Sequence, residues 1–514
     1  MNAPRTGAII VLVIGAAAGS GACATAANVT IVDMIPKAAS WEEWNDSEPS
    51  IAVNSRDPRK IAVSAFTPSL VARLPHAKTL GDLITTVPTA PLFISIDNGI
   101  SWALADMLPA GGPITRDITV RFSPRTGALF ASMLRYDSSL SIARSRNPSS
   151  YGIMETLLSF DVHRGDDQPY IEVAPASATS DYLLLSSNVD EIYQPQSAQF
   201  YRFLDIGGAA LRMTEPTHLD VREERVGDGP SIRAAVASDG KVYEAFFSWR
   251  SATKVPGADV SNVRADLVVL RDDLLGGEDP PFARLVEPSD HRRGIWAATN
   301  IPIAFKDVLG NQRIGSSLSI AVDPNHSDRV FVAWSDGDAK AYHLHVKRSD
   351  SAGEHWLALA LPAVVRGTNP SIAVNASGVV ALLFQHFTDA RTWESRVLLS
   401  HDGTFANPTE IVLSNARALD SVDVPLLGDY DQIQAVGNDF YGVFAANNEP
   451  VCANFPLGAT YRRYADFGAH RLYDRNSVGR QTVGPSVDPF FFHITNVMET
   501  GIDTSSVRCA SPKS

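Results

Sequence analysis

Short apolar runs alternate with polar turns rich in Gly and Pro along almost the whole chain. Seven runs begin with a polar opening that leads into a β-branched segment: SEPSIAV (47–53), TRDITV (115–120), GDDQPYIEV (165–173), GDGPSIRAAV (227–236), GSSLSIAV (315–322), GTNPSIAV (367–374) and LGDYDQIQAV (427–436). Their isoleucines, the second of which is Ile118, lie 52 to 88 residues apart, and PSIAVN occurs twice unchanged. Most openings are followed by a second apolar run and several by a third. This pattern indicates internal repeats built from short strands.

The repeats predict an all-β fold. Short strands at this spacing are typical of sandwiches, barrels and propellers, and long repeats with three or four strands each favour a β-propeller of four-stranded blades. We predict seven blades, with six as the alternative if the second or third unit is an embellishment. Residues 28–514 are expected to form a single domain, closed where residues 28–35 meet residues 489–497 in the last blade.

Residues 1–26 have the features of a cleaved export signal. Arg5 provides a positive start, residues 9–18 are apolar, and residues 24–26 are the small residues of a cleavage site. The apolar stretch is too short to span a bilayer as a helix, and we expect no membrane span elsewhere. The prediction is a secreted or periplasmic protein, with a lipid anchor on Cys23 as the alternative.

Composition and charge limit the partners. The 514 residues are 45% hydrophobic with a net charge of −13, which argues against a nucleic-acid partner. Cys452 and Cys509 are expected to form a disulfide in an exported protein, with two free thiols as the alternative. No cluster has zinc spacing. We expect a monomer with no cofactor, and GDDQP (165–169) leaves a structural calcium ion open.

The segment SIDNGISW (95–102) ends the third apolar run of the first unit, so we place it in the turn before the fourth strand. Gly99 can adopt positive φ in a tight turn. The Asp97 carboxylate can accept hydrogen bonds from turn amides, and Trp102 can pack its ring between sheets. We therefore predict that Ser95 and Asp97 are structural.

The spacing Ser-x-Asp-x-Gly-x-Ser/Thr-Trp resembles the Asp box of the sialidase-like, or BNR-repeat, β-propellers. SDSAGEHW (349–356) occupies the same place in the fifth unit with Ser351 instead of aspartate, and SHDGTF (400–405) is a shorter version in the sixth. Together with the export signal and the EPSIAVN opening, the resemblance covers residues 45–500. In that family the box lies at the periphery and is not catalytic.

The box also predicts which face carries the site. If it is the third turn of a blade, the blade openings and the second turns lie on the opposite face, and the openings converge on the axis. The axial candidates are Glu48, Arg116, Asp117, Asp166, Asp167, Asp228, Arg313, Asn369, Asp429 and Tyr430. The long second turns add Arg73, Trp249, Arg250, Asp336, Asp338, Arg391, Trp393 and the loop 447–488. Loops on one face of a rigid scaffold commonly carry function.

Sialidases of this superfamily bind a carboxylate with three arginines and use a tyrosine nucleophile, an assisting glutamate and an aspartate acid. Our candidates for catalysis are Asp429, Tyr430, Asp167 and Glu48; those for binding a glycan or other polyhydroxylated ligand are Arg116, Arg313, Arg73, Arg250 and Trp393. The Phe/Tyr-Arg-Ile-Pro motif of sialidases is absent, and ARLP (72–75) is the nearest string.

The resemblance implies an exported glycoside hydrolase that removes a terminal sugar, an acidic one included. The first alternative is a non-catalytic propeller that binds a glycan or a protein, because this fold hosts many functions. A third reading is a lyase acting on uronic-acid polymers with Tyr430 as base. In the plainest structural reading, the arginines pair with the protein's own acids, and Asp429 and Asp167 cap strand starts.

Overall fold

The protein is an all-β molecule. The computed structural model describes residues 28–67, 90–108, 117–135, 139–149, 154–160, 166–189, 197–208, 211–214, 216–219, 232–254, 261–305, 318–338, 341–362, 367–388, 392–417, 419, 427–475, 481–495, 509 and 510. Within them the helices are two short 3-10 segments, Lys37–Ala39 and Cys452–Asn454. None of the described helices is long and apolar enough to cross a membrane.

The described strands follow one another as antiparallel sheets. After the strand Asn28–Asp33 (β1), the first sheet contains Ser47–Val53 (β2), Ile61–Phe66 (β3), Ala90–Ser95 (β4) and Ala103–Leu108 (β5). The second contains Ile118–Phe122 (β6), Leu129–Leu134 (β7), Leu140–Ser145 (β8) and Glu155–Phe160 (β9). The third contains Asp166–Pro175 (β10), Asp181–Val189 (β11), Ser197–Asp205 (β12), Arg212–Met213 (β13) and Thr217–His218 (β14).

The next two sheets are joined at one parallel pair, Ile303 with Gly337. The fourth contains Ile232–Val236 (β15), Val242–Lys254 (β16), Ser261–Asp272 (β17) and Ile295–Phe305 (β18). The fifth contains Leu318–Asp323 (β19), His326–Asp338 (β20), Ala341–Ser349 (β21) and Leu357–Ala358 (β22). The sixth contains Gly367–Val374 (β23), Val380–Phe387 (β24), Thr392–Ser400 (β25) and Thr409–Arg417 (β26).

Strands from both ends of the chain make the last sheet. Its members are Gln432–Val436 (β27), Asp439–Asn447 (β28), Thr460–Tyr461 (β29), Val487–Thr495 (β33) and β1, in the order β27-β28-β33-β1-β29. A small separate sheet contains Tyr464–Asp466 (β30), Arg471–Tyr473 (β31) and Thr482–Val483 (β32).

The first strands of the successive sheets form a closed ring. Contacts run from β2 to β6, β10, β15, β19, β23 and β27, and from β27 back to β2. The large apolar clusters lie between successive sheets; one of them contains Ile94 of the first sheet and Val120 of the second. This is the architecture of a β-propeller. Seven blades remain our proposal, and the ring of first strands supports it over six.

The residue before the isoleucine in the repeated openings, such as Ser50 in PSIAVN, links its sheet to the next one by a hydrogen bond near the axis. The polar side chain before the isoleucine accepts a backbone N–H from the first strand of the next sheet. The pairs are Ser319 Oγ with Ile372 N (3.0 Å), Ser371 Oγ with Ile433 N (3.1 Å), Gln432 Oε1 with Ile51 N (3.1 Å) and Ser50 Oγ with Val120 N (3.1 Å). In the second unit the equivalent of the isoleucine is therefore Val120 and not Ile118, two residues earlier.

The two ends of the chain close the ring. β1 pairs antiparallel with β33, for example Val32 with Phe491. A disulfide joins Cys452 and Cys509, whose Cα atoms are 5.7 Å apart. These contacts bring both termini of the described chain to the same sheet.

A buried ion cluster fixes the segment between β1 and β2 to this sheet. The Arg463 guanidinium donates to Glu42 Oε1 (2.6 Å) and Asp488 Oδ2 (2.9 Å), and all three side chains are at most 1% exposed. Asp33 and Asp46 lie in the same cluster and are fully buried. Burial raises the pKa of Asp46 to about 7, and burial together with Asp488 raises the pKa of Asp33. Burial raises the pKa of Glu42 as well, so Asp33, Glu42 and Asp46 all favour their protonated forms.

The box in the first sheet forms the turn before β5. Ser95 Oγ accepts from Gly99 N (2.9 Å), Asp97 Oδ1 accepts from Ser101 N (2.8 Å), and Trp102 Nε1 donates to Gly99 O (3.0 Å). The Trp102 ring packs against Phe491 of the last sheet, with 5.3 Å between ring centroids.

Third turns and first turns lie together. Asn98 N in the box donates to Arg59 O in the first turn of the same sheet (3.0 Å), and Ala352 N donates to Asp328 O in the fifth sheet (2.9 Å). These contacts put the box turns on the face that holds the ends of the first strands, as the box resemblance led us to expect.

Candidate active site

Three blade openings share an unusual backbone conformation. Glu48, Gln168 and Asn369 each precede a proline, and their φ angles are 50°, 47° and 51°. Each lies at a register shift between the first and second strands of its sheet. Positive φ is unfavourable for residues with a Cβ and also before proline. All three are at most 4% exposed. Strained conformations of this kind are often found at functional sites.

Tyr430 reaches from the last sheet to the second. Its hydroxyl donates to Asp117 Oδ1 (3.1 Å), and the residue is 6% exposed. Burial, followed by the negative charges of Asp117 and Glu48, raises the pKa of Tyr430, while Arg233 acts in the opposite direction. Tyr430 is therefore a protonated phenol next to a carboxylate, which is a pair suited to proton transfer.

Arg233 lies between two tyrosine rings at the start of β15. Its guanidinium carbon is 5.2 Å from the Tyr170 ring centroid and 5.3 Å from that of Tyr430. One N–H donates to Ile232 O (2.7 Å), and Arg233 forms no ion pair with the described residues. It is 6% exposed. Burial lowers its pKa, although the two tyrosines and Asp117 partly compensate. A buried guanidinium that forms no ion pair within the described part of the chain is suited to bind an anion.

Sequence reasoning missed Arg233, although the repeat held a signal. The residue after the isoleucine equivalent is alanine in three units (Ala52, Ala321 and Ala373), whereas Arg121, Glu172 and Arg233 stand there in the second to fourth units. In those three units this position places charge on the strands closest to the axis.

Arg121 and Tyr170 form a second polar group on the strands near the axis. Arg121 donates to Glu172 Oε1 (2.9 Å) and to the Tyr170 hydroxyl (2.6 Å). On the side of the first turns these residues line an axial cavity of ≈ 420 Å³, whose wall is built from first strands and includes Ser55 and Pro124 of two first turns. Arg233 and Tyr430 are not among its lining residues, although Arg233 contacts the ring of Tyr170, which is one of them.

Glu48 and Asp429 contact one another across the closure of the ring. Glu48 Oε1 accepts from Asp429 N (3.1 Å), and both residues are at most 3% exposed. A Cβ on Gly428, which has a φ of 88°, would come within 2.3 Å of Glu48 Cγ, so this position requires glycine. Asp167 lies at the opening of the third sheet and is partly exposed. The structure thus places Glu48, Asp429 and Tyr430 together.

The binding candidates in the second turns, Trp393 and Arg250, contact other side chains of the protein. Trp393 is 4% exposed and packs against Phe387, with 5.0 Å between ring centroids, so it is part of the apolar core between the last two sheets. Arg250 donates to Asp266 Oδ2 (2.6 Å) and lies over the Trp296 ring. Both side chains have structural partners. Arg73, Arg116 and Arg313 lie outside the described residues, as do Asp228 and Arg391.

Burial raises the pKa of two further carboxyl groups. One is Asp431, the residue after Tyr430, and the other lies one strand further from the axis. Glu244 on β16 is fully buried, and Ser186 Oγ donates to its Oε1 (2.7 Å). Burial raises the pKa of Glu244 to about 8, and the hydrogen bond from Ser186 acts against this. Within the described part of the chain, no group of His, Cys, Asp and Glu side chains has the geometry of a metal site.

The sequence matches no known protein family model and no curated protein. Similar solved structures include a PL25 ulvan lyase (10% identity, 78% of this chain and 92% of that chain, TM-score 0.46). An α-L-arabinofuranosidase of family GH93 from Fusarium graminearum, in complex with arabinobiose, shares 10% identity over 69% of this chain and 92% of that chain, with a TM-score of 0.40. Sqt1 from Chaetomium thermophilum, bound to the N-terminus of ribosomal protein L10, shares 14% identity over 78% of this chain and 84% of that chain, with a TM-score of 0.37. At this level of likeness, neither the function nor the site follows from these proteins.

Proposed function

We propose that the protein is an exported glycoside hydrolase that removes a terminal acidic sugar at the opening face of the propeller. The observation that carries the proposal is the group Tyr430, Asp117 and Arg233. A phenol bonded to a carboxylate lies next to a buried guanidinium that has no ion-pair partner among the described residues.

Arg233 supports the acidic part of the ligand. Its planar guanidinium offers several N–H donors, and one of them is bonded to Ile232 O. A sugar carboxylate would add a negative charge in direct contact with the guanidinium. Because the guanidinium is stacked between Tyr170 and Tyr430, the bound carboxylate would lie within reach of the tyrosine hydroxyl.

Tyr430 and Asp117 support the chemistry. In the proposed first step, Tyr430 Oη attacks the anomeric carbon and its proton passes to Asp117, while the glycosidic C–O bond breaks. Transfer to Asp117 is needed because the raised pKa keeps the phenol protonated near neutral pH. The leaving oxygen receives a proton from an acid, for which Asp167 is the candidate. Water then attacks the anomeric carbon and passes one proton to Asp167, the bond between that carbon and Tyr430 Oη breaks, and Asp117 returns its proton to Tyr430 Oη.

Glu48 and Asp429 have a positioning role in this proposal. Their hydrogen bond fixes the opening of the last sheet against that of the first, directly before Tyr430. The negative charge of Glu48 also contributes to the raised pKa of Tyr430.

The second candidate is a propeller that binds a glycan without chemistry. Arg233 contacts the rings of both Tyr170 and Tyr430, and Arg233 and Tyr430 are each 6% exposed. Side chains that fill the axis in this way leave little room for a sugar ring at their own level, so the ligand would rest above them.

A panel of chromogenic glycosides, with a sialoside and a glucuronide among them, tests the proposal. Tyr430→Phe should lower kcat at least 1000-fold, because it removes the nucleophile. Arg233→Gln should raise KM for acidic substrates. Tyr441→Phe is the matched control and should keep full activity, since Tyr441 is a buried tyrosine that stacks on His493 and belongs to an apolar cluster with Trp102 and Phe491. If the wild-type protein binds these glycosides but releases no chromophore, the hydrolase proposal is wrong and the protein is a glycan-binding propeller.

A further inference from the structure

The fifth sheet has a very short fourth strand. β22 contains two residues, whereas β26, its counterpart in the sixth sheet, contains nine. β22 pairs with Lys347 and Arg348 at one end of β21. The rest of the outer edge of β21, from Ala341 to His345, has no strand partner among the described residues.

A pocket of ≈ 270 Å³ occupies this open edge. One wall is made by His343, His345 and Lys347 of β21, and the other by the chain from Ala358 to Pro362. The volume corresponds to about nine water molecules, which is enough for one sugar ring. This pocket lies on the outer part of its sheet and shares no lining residue with the axial cavity.

Lys347 is the charged group at one end of the pocket. Its Nζ donates to Ala297 O (2.6 Å), and it forms no ion pair with any described residue. Burial lowers the pKa of Lys347, and no charged group compensates. An ammonium group has three donors, so two remain for a ligand, and a half-buried cation is stabilised by an anion.

The other end of the pocket is polar and aromatic. The His345 ring stacks on Trp334 with 4.9 Å between centroids, and its Nε2 is 2.9 Å from Asp336 Oδ1. Asp336 Oδ2 also accepts from Trp334 Nε1 (3.1 Å). His345 keeps 40% of its side chain exposed. An imidazole held flat on an indole offers a sugar both a ring face and a hydrogen-bonding edge.

We propose that this pocket binds a carboxylate-bearing sugar of the uronic-acid class, with the carboxylate on Lys347 and the ring against His345. The aliphatic wall formed by Leu359 and Leu361 contacts the C–H groups of the sugar. Because the pocket is separate from the axial site, the inference does not rest on the proposed hydrolase activity.

NMR titration of the mature protein with D-glucuronate tests the inference. The C2–H signal of His345, assigned with His345→Gln, should shift with glucuronate and not with D-glucose at equal concentration. Reading the shift at His345 keeps this pocket distinct from the axial site. Lys347→Gln should weaken the apparent affinity at least tenfold.

Arg348→Gln is the matched control. Arg348 is the next residue on β21, lies on the opposite side of the sheet and pairs with Asp350 (2.9 Å), so its loss should leave the titration unchanged. Equal shifts with glucose and glucuronate, or an unchanged titration of Lys347→Gln, would overturn the proposal. Inorganic phosphate or sulfate shifting His345 as strongly as glucuronate would also overturn it, since the pocket would then bind an adventitious anion only.

Discussion

The turn of the first sheet at 95–102 and that of the fifth at 349–356 have nearly the same hydrogen bonds, although only the first contains the aspartate. In the fifth sheet Ser349 Oγ accepts from Gly353 N (2.9 Å), and Trp356 Nε1 donates to Gly353 O (3.0 Å). Ser351 Oγ accepts from His355 N (3.0 Å), in the place where Asp97 accepts from Ser101 N.

The comparison separates what shapes the turn from what stabilises it. The first serine, the glycine and the tryptophan make the same bonds in both turns, so they determine the backbone path. The carboxylate of Asp97 adds a bond from the Ser101 hydroxyl, whose place is taken by His355 in the fifth sheet. The bond from the Ser95 hydroxyl to Asp97 (2.9 Å) corresponds to a longer contact between the Ser349 and Ser351 hydroxyls (3.3 Å). The negative charge therefore strengthens a turn that forms without it.

The largest difference is expected at the two glycines. Gly99 has a φ of 81°, and a Cβ there would lie 2.1 Å from Phe491 Cε1 in the buried core. Gly353 has a φ of 89°, but the nearest atom to its Cβ would be Leu285 Cδ1 at 2.9 Å. Gly99→Ala should lower the free energy of unfolding by about 3 kcal/mol or more and Gly353→Ala by about 1–2 kcal/mol. Chemical denaturation measures both. Equal losses would contradict the unequal packing of the two turns.

A smaller loss is expected from the aspartate. Asp97→Ala should lower the free energy of unfolding by about 1–3 kcal/mol, because turn donors lose their acceptor, and Ser351→Ala should cost about 1 kcal/mol or less. Catalytic turnover per folded molecule should not change with either variant. Loss of turnover at an unchanged melting temperature would refute a structural role for Asp97.

The pH dependence gives an independent check on Asp97. Burial alone would raise its pKa, but the hydrogen bonds from Ser101 and Ser95 outweigh burial and hold the pKa below the ordinary 3.8. Since the folded-state pKa is the lower one, the contribution of the carboxylate is complete above pH 3.8 and is lost as the pH falls below it. The stability gap between wild type and Asp97→Asn should close in that range. The gap for Ser351→Ala should not depend on pH there.

The smallest effect is expected from introducing the aspartate into the turn of the fifth sheet at 349–356. Ser351→Asp should raise the free energy of unfolding by about 0.5–1 kcal/mol, because the carboxylate can accept from more than one turn donor. Comparing the thermal unfolding of Ser351→Asp with that of Ser351→Asn separates the effect of the charge from the effect of side-chain size. A gain with asparagine as large as with aspartate would show that charge is not the reason for the acid in the box.

Much of the fold could be predicted from the sequence because similar residues recur at equivalent positions of the repeats and have the same structural role there. In several sheets, the polar residue before the isoleucine accepts a backbone N–H from the next sheet. The glycine of the box donates its backbone N–H to the hydroxyl of the first serine in both the first and the fifth sheet. The register of the second unit was wrong by two residues, since Ile118 resembles the repeat isoleucine and the bond from Ser50 selects Val120. Local pattern cannot decide between two apolar residues two positions apart, because both face the same side of a strand.

The site was predicted less completely. Tyr430 and Glu48 were placed near the axis because they belong to blade openings, and Asp117 was among the axial candidates. Arg233 was missed because its role depends on Tyr170 and Tyr430, which come from other sheets. Trp393 was expected to contact ligand, yet it lies in the core against Phe387. Whether an aromatic residue at a turn is covered depends on neighbours distant in sequence.

The pairing of β1 with β33 has a consequence for the order in which the chain folds. A ribosome makes Asn28–Asp33 long before Val487–Thr495, so β1 lacks its antiparallel partner until β33 has been made. Closing so long a loop costs entropy that grows only slowly with its length. Until then, the edge of β28 and the β1 strand both have open backbone groups, and such edges pair readily with other chains. The growing chain is therefore vulnerable to aggregation until β33 is made.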